Sequence, residues 1–532
     1  MAVKNAVAKN WVITPSFDGN LYSAYPNGDK PIPSAWGSGG TDWYLSPSGS
    51  DANNGLSSGA PKKTFANVFA AMASGDQLYL MDGTYSVAAG TGVIHWDTAT
   101  YDANSAQIPA GVSLARSTRV KAVNDGAAIV SAPLFIGRSN RADNYIEVWG
   151  CKFTGGGSLF NGSYNSLKNI AFDGVFGIGT SDHAMPVQYN LVEDCWIWAT
   201  GERIIAINYQ ASKNTWRRVV VRGDGCGTVA CTGSGNPNVG FSVYDSQECS
   251  VMNMIQVDRL LAASPNADYP YADFATAQHT PGEPDKYLGL NKWLGCMSIA
   301  SEDNALNFEA DDVIPAETTW TINNFVCVTA ADGGVNVGAT GPVVMNGITC
   351  VSAATSGDGI RVAPTSPGTS VTNTLVKNFN RGLNSAIQPS YTSTYGAPTL
   401  YNQTTPTVGV FTANPTADGT PASLKYPVRI ESGSALKDAG LSGADIGATI
   451  MYCYGADGSR YGDADRDTLG TTALWPYPNE ARIKADFATA ANGARGFCTG
   501  NSIGGTAQSL TKYIWEQLGN EVPADYYAGW AA

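Results

Sequence analysis

Charge is scarce in this chain. Only 14% of its 532 residues are Asp, Glu, Lys or Arg, and the balance is acidic, with a net charge of −13. Such a chain has little attraction for a phosphate backbone or an anionic bilayer, which argues against nucleic acid and membrane as main partners. An acidic polysaccharide remains compatible, because a local basic groove can sit on an acidic protein. Histidine is scarcer still: His95, His183 and His279 stand far apart, without zinc-ligand spacing. No run is apolar and long enough to span a bilayer. Residues 1–10 lack the continuous apolar core of a secretory signal. With Met1 retained, this predicts a protein released by lysis rather than by secretion. Phosphate-binding loops and the dinucleotide fingerprint are missing too.

Glycine, by contrast, is abundant at 60 residues, and the aromatics include 25 Tyr and 13 Trp. Thr-, Ser-, Asn- and Val-rich runs between turns favour an all-β chain. A short pattern recurs: Trp149-Gly150-Cys151-Lys152-Phe153, Val192-Glu193-Asp194-Cys195-Trp196-Ile197, Trp293-Leu294-Gly295-Cys296, Phe325-Val326-Cys327-Val328 and Ile348-Thr349-Cys350-Val351. The gaps, Cys249 to Cys296 included, approach one or two multiples of 22 to 24 residues. A second series keeps a similar period through Leu306, Val335, Ile360 and Leu383. Short strands at this period, separated by Gly, Asp and Asn turns, describe the coils of a β-solenoid whose core forms by stacking.

Alternation along a strand turns Asn307, Asn336, Arg361 and Asn384 outward, in one stripe across successive coils. The repeat cysteines fall in the other strand and are expected to form one buried column of mostly free thiols. Cys226 and Cys231, in a Gly-rich loop, are the best disulfide candidates.

The segment Asp42-Trp43-Tyr44-Leu45-Ser46-Pro47-Ser48-Gly49-Ser50-Asp51, then Lys63-Thr64-Phe65, Gly75-Asp76-Gln77-Leu78-Tyr79-Leu80 and Gly83-Thr84-Tyr85, resembles the first coil of the pectate-lyase-like β-helix superfamily. Phe65, Val68, Phe69 and Met72 have helical spacing, which predicts a capping helix at about 64–73. Ser434-Ala435-Leu436-Lys437-Asp438-Ala439-Gly440, followed by Asp445-Ile446-Gly447-Ala448, resembles the last coil of many members. The resemblance implies a single-stranded right-handed parallel β-helix over 41–450, with an insertion at 262–290. An N-terminal arm at 1–40 and a partly helical segment at 451–532 flank it. It does not select an activity, since members include lyases, hydrolases, phage tailspikes and inert stalks.

Lyases of this fold need a base and a neutraliser for the substrate carboxylate. The polar candidates are Lys292, Arg259, Glu302, Asp303 and Glu309, with Asp311 and Asp312 beside them and Ca²⁺ as a candidate cofactor. Asp303 and Asp332 would supply an inverting hydrolase with two carboxylates on adjacent coils. Tyr269 and Tyr271, in the insertion, are candidate glycan contacts with the stripe residues. Asp463, Asp465 and Asp467 alternate as in a Ca²⁺ loop, although Thr468 stands where that loop has Gly. Two readings follow. The first is a virion-surface phage protein of tailspike, fibre or decoration type, engaging host glycan and other virion proteins, with a homotrimer as one assembly. The second is a polysaccharide lyase or hydrolase. Whether the chain is an enzyme stays open at this level, with an inert stalk or adhesin as a third reading.

Overall fold

The computed structural model describes residues 40–179, 187–200, 204–224, 239–260, 272–278, 290–301, 304–310, 319–329, 333–338, 341–352, 355–363, 368–415, 424–490, 493–499 and 508–521. Two compact units emerge. The first comprises Met1–Trp198, Asn208–Thr215 and Gly458–Asp463, the second Ala199–Ile207, Trp216–Asp457 and Ala464–Ala532.

In the first unit, the strands Asp42–Leu45, Gln77–Leu80, Thr118–Ala122, Ile146–Trp149, Ser166–Lys168 and Leu191–Glu193 pair in parallel, each with the next. Leu78, Val120, Val148, Leu167 and Val192 share one register position and are all buried. A second set follows each coil round: Gly83–Tyr85, Ala128–Val130, Lys152–Thr154 and Ala171–Asp173. Three coils add a third strand, at Leu134–Ile136, Gly157–Leu159 and Phe176–Gly179. Parallel pairing of sequence-adjacent coils makes this a β-helix, and the usual right-handed crossover gives its hand.

One left-handed residue makes the corner between the first and second strands: Gly150, Asn169 and Asp194, at φ 68°, 53° and 56°. Glycine and asparagine tolerate that region best. At another corner the left-handed residues are Tyr145, Tyr164 and Tyr189. Their rings stack at 5.3 and 4.7 Å. Some of the tyrosine surplus is therefore spent on a coil-to-coil ladder.

The capping helix runs Phe65–Ala71, with the Thr64 hydroxyl accepting from the Asn67 N–H. Asp51 accepts from both N–H and hydroxyl of Thr64 and from the Lys63 N–H. Phe65, Val68 and Phe69 are buried, and Phe65 packs on Tyr85 at 5.4 Å. Asp76 binds the Thr41 and Ala73 N–H groups and the Trp43 indole. The first-coil motif is thus a set of hydrogen bonds that seals an open strand edge.

The second unit repeats the scheme. Ser250–Met252, Lys292–Leu294, Trp320–Thr329, Val343–Ser352, Ser370–Lys377 and Ser390–Tyr395 pair in parallel. Opposite them run Val239–Tyr244, Ala272–Gln278, Asn304–Ala310, Gly333–Val337, Asp358–Val362, Arg381–Ser385 and Thr399–Gln403. The expected insertion at 262–290 is corrected here, since Ala272–Gln278 within it is a coil strand. Its Ala- and Thr-rich sequence, without a Gly-marked turn, hides the alternation.

The cysteine column is also corrected. Cys327 and Cys350 are register partners, but Ser298 is the partner of Cys327 on the preceding coil. Cys151, Cys195 and Cys296 instead lie between a left-handed corner residue and the first residue of the next strand. These five and Cys249 are buried free thiols at more than one register position. A period close to the coil length cannot tell a strand's start from its middle.

Residues 451–532, as far as they are described, hold an antiparallel pair, Tyr452–Tyr454 with Leu469–Ala473, and helices Glu480–Phe487 and Leu510–Trp515. Leu510, Ile514 and Trp515 are buried, as the helical spacing of that stretch requires.

Candidate functional site

Left-handed corner residues also position the site. In the second unit they include Asn253, Gly295, Asn324, Gly347 and Asn373. A left-handed asparagine leaves its amide free to receive another chain segment, and the chain from 441 to 454 returns along this corner. Asn373 accepts from the Leu441 N–H at 2.8 Å, Asn324 from the Thr449 N–H at 3.2 Å, and Asn253 from the Tyr454 N–H at 2.7 Å. Asn324 also donates to the Tyr454 hydroxyl at 2.7 Å. Tyr454 packs with Met252 and Leu294, and burial raises its pKa.

Between this returning segment and the coil face lies a cavity of about 490 Å³. Its lining combines Asn323 and Asn346, Asp445 and Asp467, and the apolar surfaces of Tyr452 and Leu469. The two asparagines are register partners, outward neighbours of buried Ile322 and Met345, and Asn346 donates to Asn323 at 3.0 Å. Asp445 accepts from Lys437 at 3.2 Å, from the Asp438 N–H at 3.1 Å and from the Thr449 hydroxyl at 2.7 Å. Asp467 pairs with Lys292 at 2.5 Å.

The sequence candidates divide between this place and others. Lys292 sits two residues before the cavity residue Leu294, on the same strand face, and reaches solvent. Arg259 is sealed: it pairs with Asp273 at 2.6 Å, both fully buried, and Asp273 also accepts from Ser298. No substrate reaches a guanidinium so placed, so Arg259 is corrected from catalytic candidate to structural residue. Glu302, Asp303, Asp311, Asp312, Asp332, Tyr269, Tyr271, Cys226 and Cys231 lie outside the described residues. Glu309 belongs to the strand Asn304–Ala310.

The outer stripe forms in the expected register, Asn307 opposite Asn336, Arg361 and Asn384 in turn. Asn336 donates to Asn307 at 2.5 Å, and Arg361 to Asn336 at 2.9 Å. Asn307 and Asn384 are buried, so only Arg361 offers a fully exposed side chain. The amides mostly tie one coil to the next.

Of the proposed Ca²⁺ loop, Asp463 closes a turn by accepting from the Arg460 N–H at 2.8 Å, and Asp467 is taken by Lys292. Among the described residues no three His, Cys, Asp or Glu side chains converge as metal ligands. The cavity carboxylates already face ammonium and hydroxyl donors, which is not the environment of a bound cation.

Asn323, Asn346 and Tyr452 were not singled out by sequence. Asn323-Asn324 and Asn346-Gly347 repeat at the 23-residue spacing of Cys327 and Cys350, which was the signal available. Asp445 was legible only as part of the last-coil motif.

No protein-family model and no curated protein matches the chain. Solved structures do. XylC in complex with xylose is 8% identical over 65% of this chain and 69% of its own, with TM-score 0.36. Pectate lyase Pel9A is 14% identical over 78% and 97%, with TM-score 0.35. A rhamnogalacturonan lyase is 14% identical over 65% and 82%, with TM-score 0.29.

Proposed function

We propose that this chain acts on a polysaccharide, as a lyase or hydrolase, in the cavity lined by Asn323, Asn346, Asp445 and Asp467. The observation that carries this reading is the mixed lining. A sugar ring presents hydroxyls on its rim and C–H groups on its faces. Paired amides and carboxylates suit the first, and Tyr452 and Leu469 suit the second.

In this reading Asp467 handles the proton, and Lys292, paired with it, offers N–H groups to a substrate carboxylate or a developing oxyanion. Asp445, held by three donors, orients sugar hydroxyls. The virion-surface reading bears on where the protein works. It becomes the better account if glycan is bound but never cleaved.

The test is incubation with polygalacturonate, alginate, chondroitin and neutral glycans. Absorbance of unsaturated uronates reports elimination, and reducing ends report hydrolysis. Asp467→Asn and Lys292→Ala should each lower the rate at least a hundredfold. Rates unchanged in both variants would remove the cavity from the reaction.

A further inference from the structure

The first unit carries a second cluster that the cavity reading does not use. Trp96 is exposed, an uncommon position for the largest side chain. The Arg138 guanidinium lies over its ring, 5.4 Å from the centroid. His95 stacks on the same tryptophan at 5.3 Å and packs against Tyr101 at 4.7 Å and Phe135 at 5.1 Å.

The backbone of Arg138 is held in place, and its guanidinium feels the Asp143 charge without pairing to it. Its backbone N–H and C=O both bond to Arg141, and its C=O also accepts from Asn161. The nearby carboxylate, Asp143, is occupied by Arg141 at 2.7 Å, the Gly137 N–H and Gln107. Among the described residues Arg138 makes no ion pair, and its Nε is buried without a hydrogen-bond partner. An arginine left unpaired on a net acidic chain is a site for an external anion.

His95 adds a directed donor. Its Nδ1 accepts from the Asp97 N–H at 2.9 Å, so the neutral ring carries its proton on Nε2. Burial lowers the pKa of His95, which keeps it in that form near neutrality.

We infer that His95, Trp96, Tyr101 and Arg138 form a binding site for a carboxylated sugar, a uronate. The exposed part of the tryptophan offers an apolar surface for the sugar's C–H groups, the guanidinium a fork for the carboxylate, and the imidazole and phenol contacts for hydroxyls. The site lies wholly within the first unit and needs no catalysis in the second.

The experiment is calorimetric titration of the full chain with oligogalacturonate, and with a neutral oligosaccharide of equal length. Wild type should bind the uronate at least tenfold more tightly than the neutral chain. Arg138→Gln should erase that preference, and Trp96→Ala should weaken both ligands. The Asp445→Asn, Asp467→Asn double variant should bind at the first unit as wild type does. Equal affinity for both ligands, or a uronate preference that survives Arg138→Gln, overturns the inference. An inactive cavity alongside Arg138-dependent binding would fault only the proposed function.

Discussion

The Tyr513 phenol donates a 2.6 Å hydrogen bond to the Asp258 carboxylate, across 255 residues of sequence. The other Asp258 oxygen accepts from the Phe497 N–H at 3.0 Å. Beside it, Asp224 accepts from Arg222 at 3.1 Å and pairs with Arg495, while Arg222 also donates to the Gly493 carbonyl at 3.0 Å. This buried network fastens the helical C-terminal segment to the coils of its unit.

Tyr513→Phe should therefore destabilise the chain by about 1–3 kcal/mol, because it strands a buried carboxylate. Burial raises the pKa of Asp258 despite its donors. A raised pKa means that its stabilising contribution is present below the unfolded value of about 3.9 and lost as pH rises through the folded value. Urea unfolding from pH 4 upward should show that decline, and Asp258→Asn should reduce it. A slope unchanged in the variant would assign the pH dependence elsewhere.

Lys292 and Arg259 looked alike in sequence and should now separate. Arg259→Ala leaves Asp273 buried without its guanidinium partner, at a cost of about 3–5 kcal/mol. Lys292→Ala breaks a partly exposed pair and should cost less than about 1 kcal/mol while removing activity. Thermal unfolding beside turnover would reveal a reversal of these effects.

In the first unit Asn165, Asn190 and Asn214 form a buried ladder. Asn190 accepts from the Asn165 N–H at 2.9 Å, and Asn214 from the Asn190 N–H at 3.0 Å. Asn190→Ala should cost about 1–3 kcal/mol, because the Asn165 N–H loses its acceptor inside the fold. Chemical denaturation at neutral pH measures it, and a change within error would mean that water replaces the amide.

Cys195 and Cys296 are fully buried, and burial pushes the Cys296 thiol up to about 12 and that of Cys195 higher still. Native protein should leave both unmodified by an aromatic disulfide reagent at pH 8, and unfolding should expose them. Peptide mapping of labelled cysteines would show early modification at either site if the coils opened locally.

Much of the coil architecture was legible because a repeat states the same packing problem many times. Leu306, Val335, Ile360 and Leu383 lie in one register, and the Asn307–Asn336–Arg361–Asn384 stripe followed from alternation alone. The capping helix was legible from four apolar positions and its Thr64 cap. The cavity was not, because its walls join Asn323 to Asp445 and Asp467 through a returning segment. That return depends on left-handed Asn253, Asn324 and Asn373, which read in sequence as ordinary turn residues. Arg259 misled for a related reason: sequence does not reveal whether a charged residue meets solvent or a buried Asp273.

The most direct test of the central claim is crystallographic. Crystals of the Asp467→Asn variant, soaked with oligosaccharide from the best-cleaved glycan, should show sugar in the cavity within hydrogen-bond reach of Asn323 and Asn346. Sugar bound only elsewhere, with turnover persisting in the Asp445→Asn, Asp467→Asn double variant, would contradict the account.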